Sequence, residues 1–304
     1  RTDARYKIRN IQNVKGAIGM SNYAIEDLMP ETSLCSLEIE GSVAHLTLTR
    51  EDVYNALNIQ LITEIITALD WTRDRSVGER GTLADAAGTP YLRVLVVSGA
   101  GKHFCAGADI NMMRDAGAKS PEENRADSER LDCLFNSLWS HPCFTIGKIQ
   151  GVALGGGAGL IACLDHAIIN SGARIALSEG KLGILPAVIG PYVYRKVGSA
   201  EFRRLAMLAG RIGAEEALRI GLVNQLSESL EGAESSIIEE ILTTGPMAVS
   251  EAKKLTLNFD RWTGSDEELR MWTLDKTSEM RGSDEGQEGL ASFLEKRPPN
   301  WKEE

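Results

Sequence analysis

HFCAGADI (His103–Ile110) and ALGGGAGL (Ala153–Leu160) each attach glycine-rich backbone to the end of an apolar run. The runs are LRVLVV (Leu92–Val97) before the first and Phe144–Val152 before the second. Short, almost unbroken apolar runs of this kind read as strands buried on both faces. Small residues at Ala106, Gly107 and Ala108, and again at Gly155, Gly156 and Gly157, let another backbone or a ligand come close. A helix that starts in the triglycine aims its free amides and the positive end of its dipole at whatever lies before it. Two such amides on one carbonyl oxygen would form an oxyanion hole. The plainer alternative is that the glycines merely permit tight turns.

Outward from these segments the chain is layered. Ala44, Leu46 and Leu48 alternate as in a half-buried strand, and Leu61, Ile65, Ala68 and Leu69 follow at helical spacing. Residues 72–90, with Gly78, Gly81, Gly88 and Pro90, read as an exposed loop. A helix is predicted from about Gly157 to Leu164, then strands at Ala167–Asn170 and Arg174–Leu177. Beyond Pro186 the pattern is helical: Tyr192–Val197, Ala200–Ala209, Ala214–Ile220, Ser235–Thr243 and Met247–Phe259, then a charged amphipathic tail at 266–296. Strands mixed with helices, then helices alone, predict an α/β core with a helical C-terminal part. Residues 1–33 read as a partly ordered extension, 34–210 as the core and 211–304 as the helical region.

The formal net charge of −10 argues against nucleic acid or an anionic membrane as partner, because both select a positive field. No apolar run approaches the roughly 20 residues that span a bilayer. The five cysteines are widely spaced with no CxxC, which favours a reducing compartment such as the cytoplasm over a disulfide framework. The four histidines never fall at metal-ligand spacing, so no metal is expected. GAGKH (Gly99–His103) fails as a P-loop, because Val96 and His103 stand where glycine and Ser or Thr belong. ALSEG (Ala176–Gly180) falls one residue short of the serine-hydrolase elbow, and no histidine follows His166. The triglycine does not fit GxGxxG, since Leu160 occupies the third glycine position.

Taken in order, NAL (Asn55–Leu57), FCAGADI, ALGGG, CLD (Cys163–Asp165), SEGKLGILPA (Ser178–Ala187), TGPMAVSEAK (Thr244–Lys253) and EGLASFLEKRPPNW (Glu288–Trp301) resemble the crotonase (enoyl-CoA hydratase/isomerase) superfamily over about residues 34–301. The PAxIGPYVxRxVG stretch (Pro186–Gly198) is similar to bacterial methylglutaconyl-CoA hydratase-like members. The resemblance implies a ββα spiral core with a C-terminal helical region that builds homotrimers, commonly paired into hexamers. It implies oxyanion amides at Ala108 and Gly156. Ala106, Asp109, Ile110, Gly155, Gly157, Gly159 and Pro186 surround the acyl-CoA, with Asp109 holding the loop. Phe293 and Lys296 match a pair that helps hold coenzyme A, often across a subunit boundary. No tightly bound cofactor is implied, since the coenzyme A thioester is itself the substrate.

Typical hydratases of the family divide acid–base work between two glutamates. Glu179 matches the one that exchanges a proton with the α-carbon; the other position holds Gly159. Three reactions through a thioester enolate remain open: hydration, double-bond isomerisation with Glu179 as the shuttle, and decarboxylation. A non-catalytic acyl-CoA-binding or RNA-associated protein on the same fold is the alternative from another class, its RNA form disfavoured by the acidic charge. Without the motif, Glu179 reads as a surface glutamate pairing with Lys181 or Arg195. Buried beside Leu177, Leu182 and Ile184, its pKa is expected to rise. Met112, Met113 and Leu131 are expected in an acyl pocket or in the core, and His103 and Tyr192 in packed or surface roles.

Overall fold

A computed structural model describes residues 28–302. The expected extension at 1–33 therefore falls almost entirely outside the described residues. Of its last residues, Ser33 donates its N–H and hydroxyl to the Glu64 carboxylate.

The hairpin β1 (Cys35–Glu40) and β2 (Val43–Leu48) opens the fold and turns at Gly41, whose φ of +55° suits a residue without a Cβ. Helix α1 (Ile59–Asp74), capped by the Asn58 side chain, and the single turn α2 (Val77–Arg80) lead to β3 (Val94–Gly99). Helices α3 (Ile110–Gly117) and α4 (Pro121–Trp139) then precede β4 (Phe144–Ile149) and β5 (Val152–Leu154). Helix α5 (Gly156–Cys163) starts inside the triglycine, followed by β6 (His166–Ile169) and β7 (Arg174–Ala176). After α6 (Gly190–Leu208) come β8 (Ile212–Gly213), α7 (Ala214–Arg219) and β9 (Gln225–Leu226). Four helices close the chain: α8 (Leu230–Ile241), α9 (Pro246–Arg261), α10 (Asp266–Gly282) and α11 (Asp284–Glu295).

The larger sheet has the order β1-β2-β3-β4-β6-β9, antiparallel only at the β1–β2 hairpin. The smaller sheet runs β5-β7-β8. Strand β3 explains why LRVLVV shows no polar alternation. Leu95 and Val97 face one apolar cluster with α1, α4 and α5, while Val94 and Val96 face another with Ile146, Ile168 and Ala233 of α8. With both faces covered, no position from Val94 to Val97 meets water.

The sheets reach past residue 210, the core boundary read from the sequence: β8 and β9 join them, and unbroken helix begins only at Leu230. Two-residue strands carry too little sequence for a period of two to register. The predicted helices at 192–197 and 200–209 are the two halves of α6, broken at Gly198 (φ +74°, ψ 173°). Helices α3 and α4 carry no sequence prediction at all, because the first turns of α4 (PEENRADSER) are polar all round and its buried residues, Leu134, Phe135 and Leu138, come only in the second half.

Candidate active site

Three segments distant in sequence are tied together by main-chain hydrogen bonds. The loop after β3 pairs with β5 through Cys105 N to Val152 O (3.1 Å) and Leu154 N to Cys105 O (3.0 Å). The same loop pairs with the NAL segment through Leu57 N to Gly107 O (2.8 Å) and Asp109 N to Leu57 O (2.9 Å). This ladder uses the Gly107 carbonyl and the Asp109 amide and leaves Ala108 N–H without an acceptor among the described residues. At the other bend, Gly155 N donates to Ala176 O (2.8 Å), and the next amide, Gly156 N–H at the first position of α5, again has no acceptor among the described residues. The two free amides are neighbours, since an ideal Cβ on Gly156 would sit 3.5 Å from Ala108 N.

Only glycine permits this approach. Gly107 has a φ of +91°, and a Cβ there would lie 2.4 Å from Leu154 O and 3.2 Å from Gly156 N. A Cβ on Gly157 would lie 2.2 Å from Cys105 O. Asp109 caps α3 by accepting from Asn111 N and Met112 N, and it sits 3.4 Å from Arg50, whose guanidinium also reaches Ala56 O. That side chain therefore fixes the direction in which the chain leaves the Ala108 amide.

Glu179 lies in the 3-10 turn Ser178–Leu182, directly after β7. The bond from Gly155 N to Ala176 O holds this turn against the triglycine, and a Cβ on Gly155 would be 2.9 Å from Glu179 Oε1. Glu179 Oε2 is buried and has no hydrogen-bond partner among the described residues. Burial raises the carboxyl pKa above its ordinary 4.5, a hydrogen bond to backbone opposing it in part. Lys181 and Arg195 do not neutralise it; Arg195 instead lies 3.5 Å from Asp260 and stacks over Trp139.

A pocket of about 330 Å³ contains Ala108, Gly156 and Glu179 together. Pro186 lines it, as do Met112, Met113 and Leu131. Ala106, Asp109, Ile110, Gly155 and Gly157, expected around the substrate, are not among the residues that line it, and Ile110 is exposed. Phe293 and Lys296 are not part of it: Phe293 is 82% exposed on α11, and Lys296 ends that helix with a φ of +56°. His103 and Tyr192 are packed, His103 Nδ1 accepting from Val152 N and Tyr192 lying against Trp139.

Gly159 does not face the pocket, contrary to its expected place around the acyl-CoA. It is covered by Ile189 and by Phe135 of α4, both of which do line the cavity. Asn124, Asp127, Ser128, Phe135 and Ile189 were missed from the sequence. Four of them, with Leu131, form the stripe 124-127-128-131-135 on α4, and that spacing was the available signal.

Parallel β-strands feeding two glycine bends, with a carboxylate opposite, define the crotonase class of α/β folds. The enoyl-CoA hydratase/isomerase family matches residues 38–304, and the chain belongs to that family. A crotonyl-CoA hydratase of Syntrophomonas wolfei is 32% identical over 87% of this chain and 96% of its own length. Among solved structures, an enoyl-CoA hydratase from Shewanella pealeana superposes with a TM-score of 0.81 at 34% identity, covering 93% of this chain and all of that one. AtuE of Pseudomonas aeruginosa gives 0.80 at 32% identity, over 89% of this chain and all of its own.

Proposed function

We propose that the chain is an enoyl-CoA hydratase that works through a thioester enolate with Glu179 as its single acid–base group. One observation carries this reading: a buried carboxylate oxygen with no partner among the described residues shares one pocket with two main-chain amides that are unused among them, Ala108 N–H and Gly156 N–H. Buried polar groups are normally satisfied, so three unsatisfied ones in one cavity point to a polar ligand.

The thioester oxygen of an enoyl-CoA accepts hydrogen bonds from both amides. Glu179 takes a proton from water as the water oxygen adds to the β-carbon; the C=C electron pair moves to the thioester, and the amides hold the enolate oxygen. The protonated Glu179 then returns the proton to the α-carbon, so one water is added and the carboxylate is regenerated. Each amide is worth about 3 kcal/mol to such a step. A raised pKa suits a group that must both take and give a proton near neutrality. Coenzyme A enters as part of the substrate rather than as a resident cofactor, and Phe293 and Lys296, exposed here, would meet it in a homotrimer.

A specific observation favours a second reading. Ile189 and Phe135 fill the space in which a second carboxylate would stand, and proton transfer by one carboxylate is all that double-bond isomerisation needs. Incubation with crotonyl-CoA and with branched and carboxylated enoyl-CoA thioesters in deuterated water separates the two. Gain of water mass marks hydration, whereas deuterium exchange with a shifted double bond marks isomerisation. Glu179→Gln is expected to reduce turnover at least ~100-fold while coenzyme A thioesters still bind. Near-normal turnover in that variant overturns the assignment.

A further inference from the structure

The stripe on α4 that forms one wall of the pocket changes character along its length. Phe135 and Leu131 occupy the reactive end, where Phe135 also packs on Gly159. Ser128, Asp127 and Asn124 follow toward the N-terminus of the helix. From residue 135 to residue 124 the helix axis rises by roughly 16 Å, at 1.5 Å per residue. The facing wall is apolar over the same stretch, with Met112 and Ala116 one turn apart on α3. An acyl chain starting at the free amides would thus run along apolar surface and finish among polar side chains.

The polar end has a defined charge state. Asp127 is a carboxylate held well ionised by Lys119 Nζ at 2.7 Å and Arg130 at 3.1 Å, one cation on each oxygen. Its side chain is only 14% exposed. Asn124 and Ser128 stand exposed at the mouth of the pocket; the Asn124 side-chain amide makes no hydrogen bond among the described residues, and the Ser128 hydroxyl donates only weakly, at 3.3 Å, to Asn124 O. A cationic chain end would have to displace Lys119 or Arg130 from Asp127, and an anionic one would have to displace Asp127 from those two cations. A neutral group that donates and accepts hydrogen bonds, such as a hydroxyl, meets free partners in Asn124 and Ser128.

We propose that Asn124 and Ser128, backed by the paired Asp127, select acyl thioesters long enough to reach this end of the pocket and carrying a neutral hydroxyl there. This rests on the enoyl-CoA reading of the same pocket. It extends that reading to the part of the substrate remote from the chemistry, where hydrogen bonds from a hydroxyl to these exposed side chains, made in exchange for water, favour it modestly over the analogue without one.

The test compares crotonyl-CoA, trans-2-decenoyl-CoA, 10-hydroxy-trans-2-decenoyl-CoA and the corresponding ten-carbon ω-carboxylate, all with the full chain. The hydroxylated substrate is expected to exceed the apolar one in kcat/KM by at least ~fivefold, as one or two net hydrogen bonds would give. Replacing Asn124 by Leu together with Ser128→Ala is expected to bring that ratio to one or below. Equal or better use of the apolar chain or of the ω-carboxylate by the unaltered protein overturns the proposal. So does an unchanged ratio in the folded double variant. If no enoyl thioester turns over, crotonyl-CoA included, it is the hydratase reading that fails, and the four thioesters are then ranked by dissociation constant. The hydroxylated chain must still bind at least ~fivefold tighter than the apolar one for the selection to stand.

Discussion

Ile189 lies across Gly159: a Cβ placed on the glycine would come within 2.4 Å of Ile189 Cγ2 and 3.0 Å of Phe135 Cε1. The position at which two-glutamate hydratases carry a carboxylate is therefore sealed by an aliphatic and an aromatic side chain. The absence of the glutamate and the packing around the glycine are one feature, and restoring the residue alone does not restore its environment.

Gly159→Glu should consequently destabilise the protein by at least about 3 kcal/mol, combining overpacking with burial of a carboxylate. Urea denaturation checks this. The double variant Gly159→Glu with Ile189→Gly should recover part of the loss, because the second change vacates the space that the new side chain needs. Wild-type stability for Gly159→Glu would mean that the Ile189 segment moves aside freely.

Glu179 should show a conflict between stability and function. Its pKa in the folded chain is raised above 4.5 by burial, so between 4.5 and the folded value the unfolded chain loses its proton while the folded chain keeps it. Stability therefore falls as pH rises through that window and stays lower above it. Glu179→Gln should accordingly melt higher than the wild type at neutral pH, with the advantage vanishing below pH 4.5. On the activity side, kcat/KM should fall as pH drops through the same raised pKa, because only the carboxylate can accept the proton from water. Equal melting temperatures across this range would show that burial of Glu179 carries no ionisation cost.

Gly107→Ala tests the free amides. The φ of +91° disfavours any side chain, and the new methyl would press on Leu154 O at 2.4 Å, next to Gly156 N. The Ala108 and Gly156 amides must separate to relieve it. Turnover should drop by a factor on the order of 100 or more, as for loss of one oxyanion donor. Binding of the coenzyme A portion should change far less. A parallel fall in both would point to general unfolding, which circular dichroism would register.

How much of this was readable without coordinates depended on the range of the interactions. LRVLVV and the triglycine are local patterns, and the strand and the helix they predict lie within a residue or two of their expected places. The two glycine motifs pointed to the same region because backbone geometry itself demands small residues there. The polar half of α4 was not readable: Asn124, Asp127 and Ser128 look like an ordinary solvated face, Asn124 and Ser128 do remain exposed, and only the tertiary fold brings them to the edge of the pocket. Nor could the sequence reveal that Ile189, thirty residues after Gly159, fills the space beside it. The CLD and TGPMAVSEAK motifs were legible as motifs but not as partners.

Those two motifs meet in an ion pair. Lys253 Nζ lies 2.5 Å from Asp165 Oδ2 and donates to His141 O at 2.7 Å and Cys143 O at 2.6 Å. The same Asp165 oxygen accepts from Thr145 N and Thr145 Oγ. One lysine thus fastens α9 to the start of β4 and to the end of α5, and its side chain is only 9% exposed. Lys253→Met removes the cation but keeps the aliphatic stem, leaving Asp165 and two carbonyls short of a donor. A loss of about 2–4 kcal/mol is expected, somewhat below that for a fully buried pair because Asp165 remains 26% exposed. The double variant with Asp165→Asn should cost less than the sum of the single changes, since the uncompensated charge is then gone. Strict additivity, or a single-variant loss below about 0.5 kcal/mol, would show that the C-terminal helices are held by their apolar contacts and that the lysine is incidental.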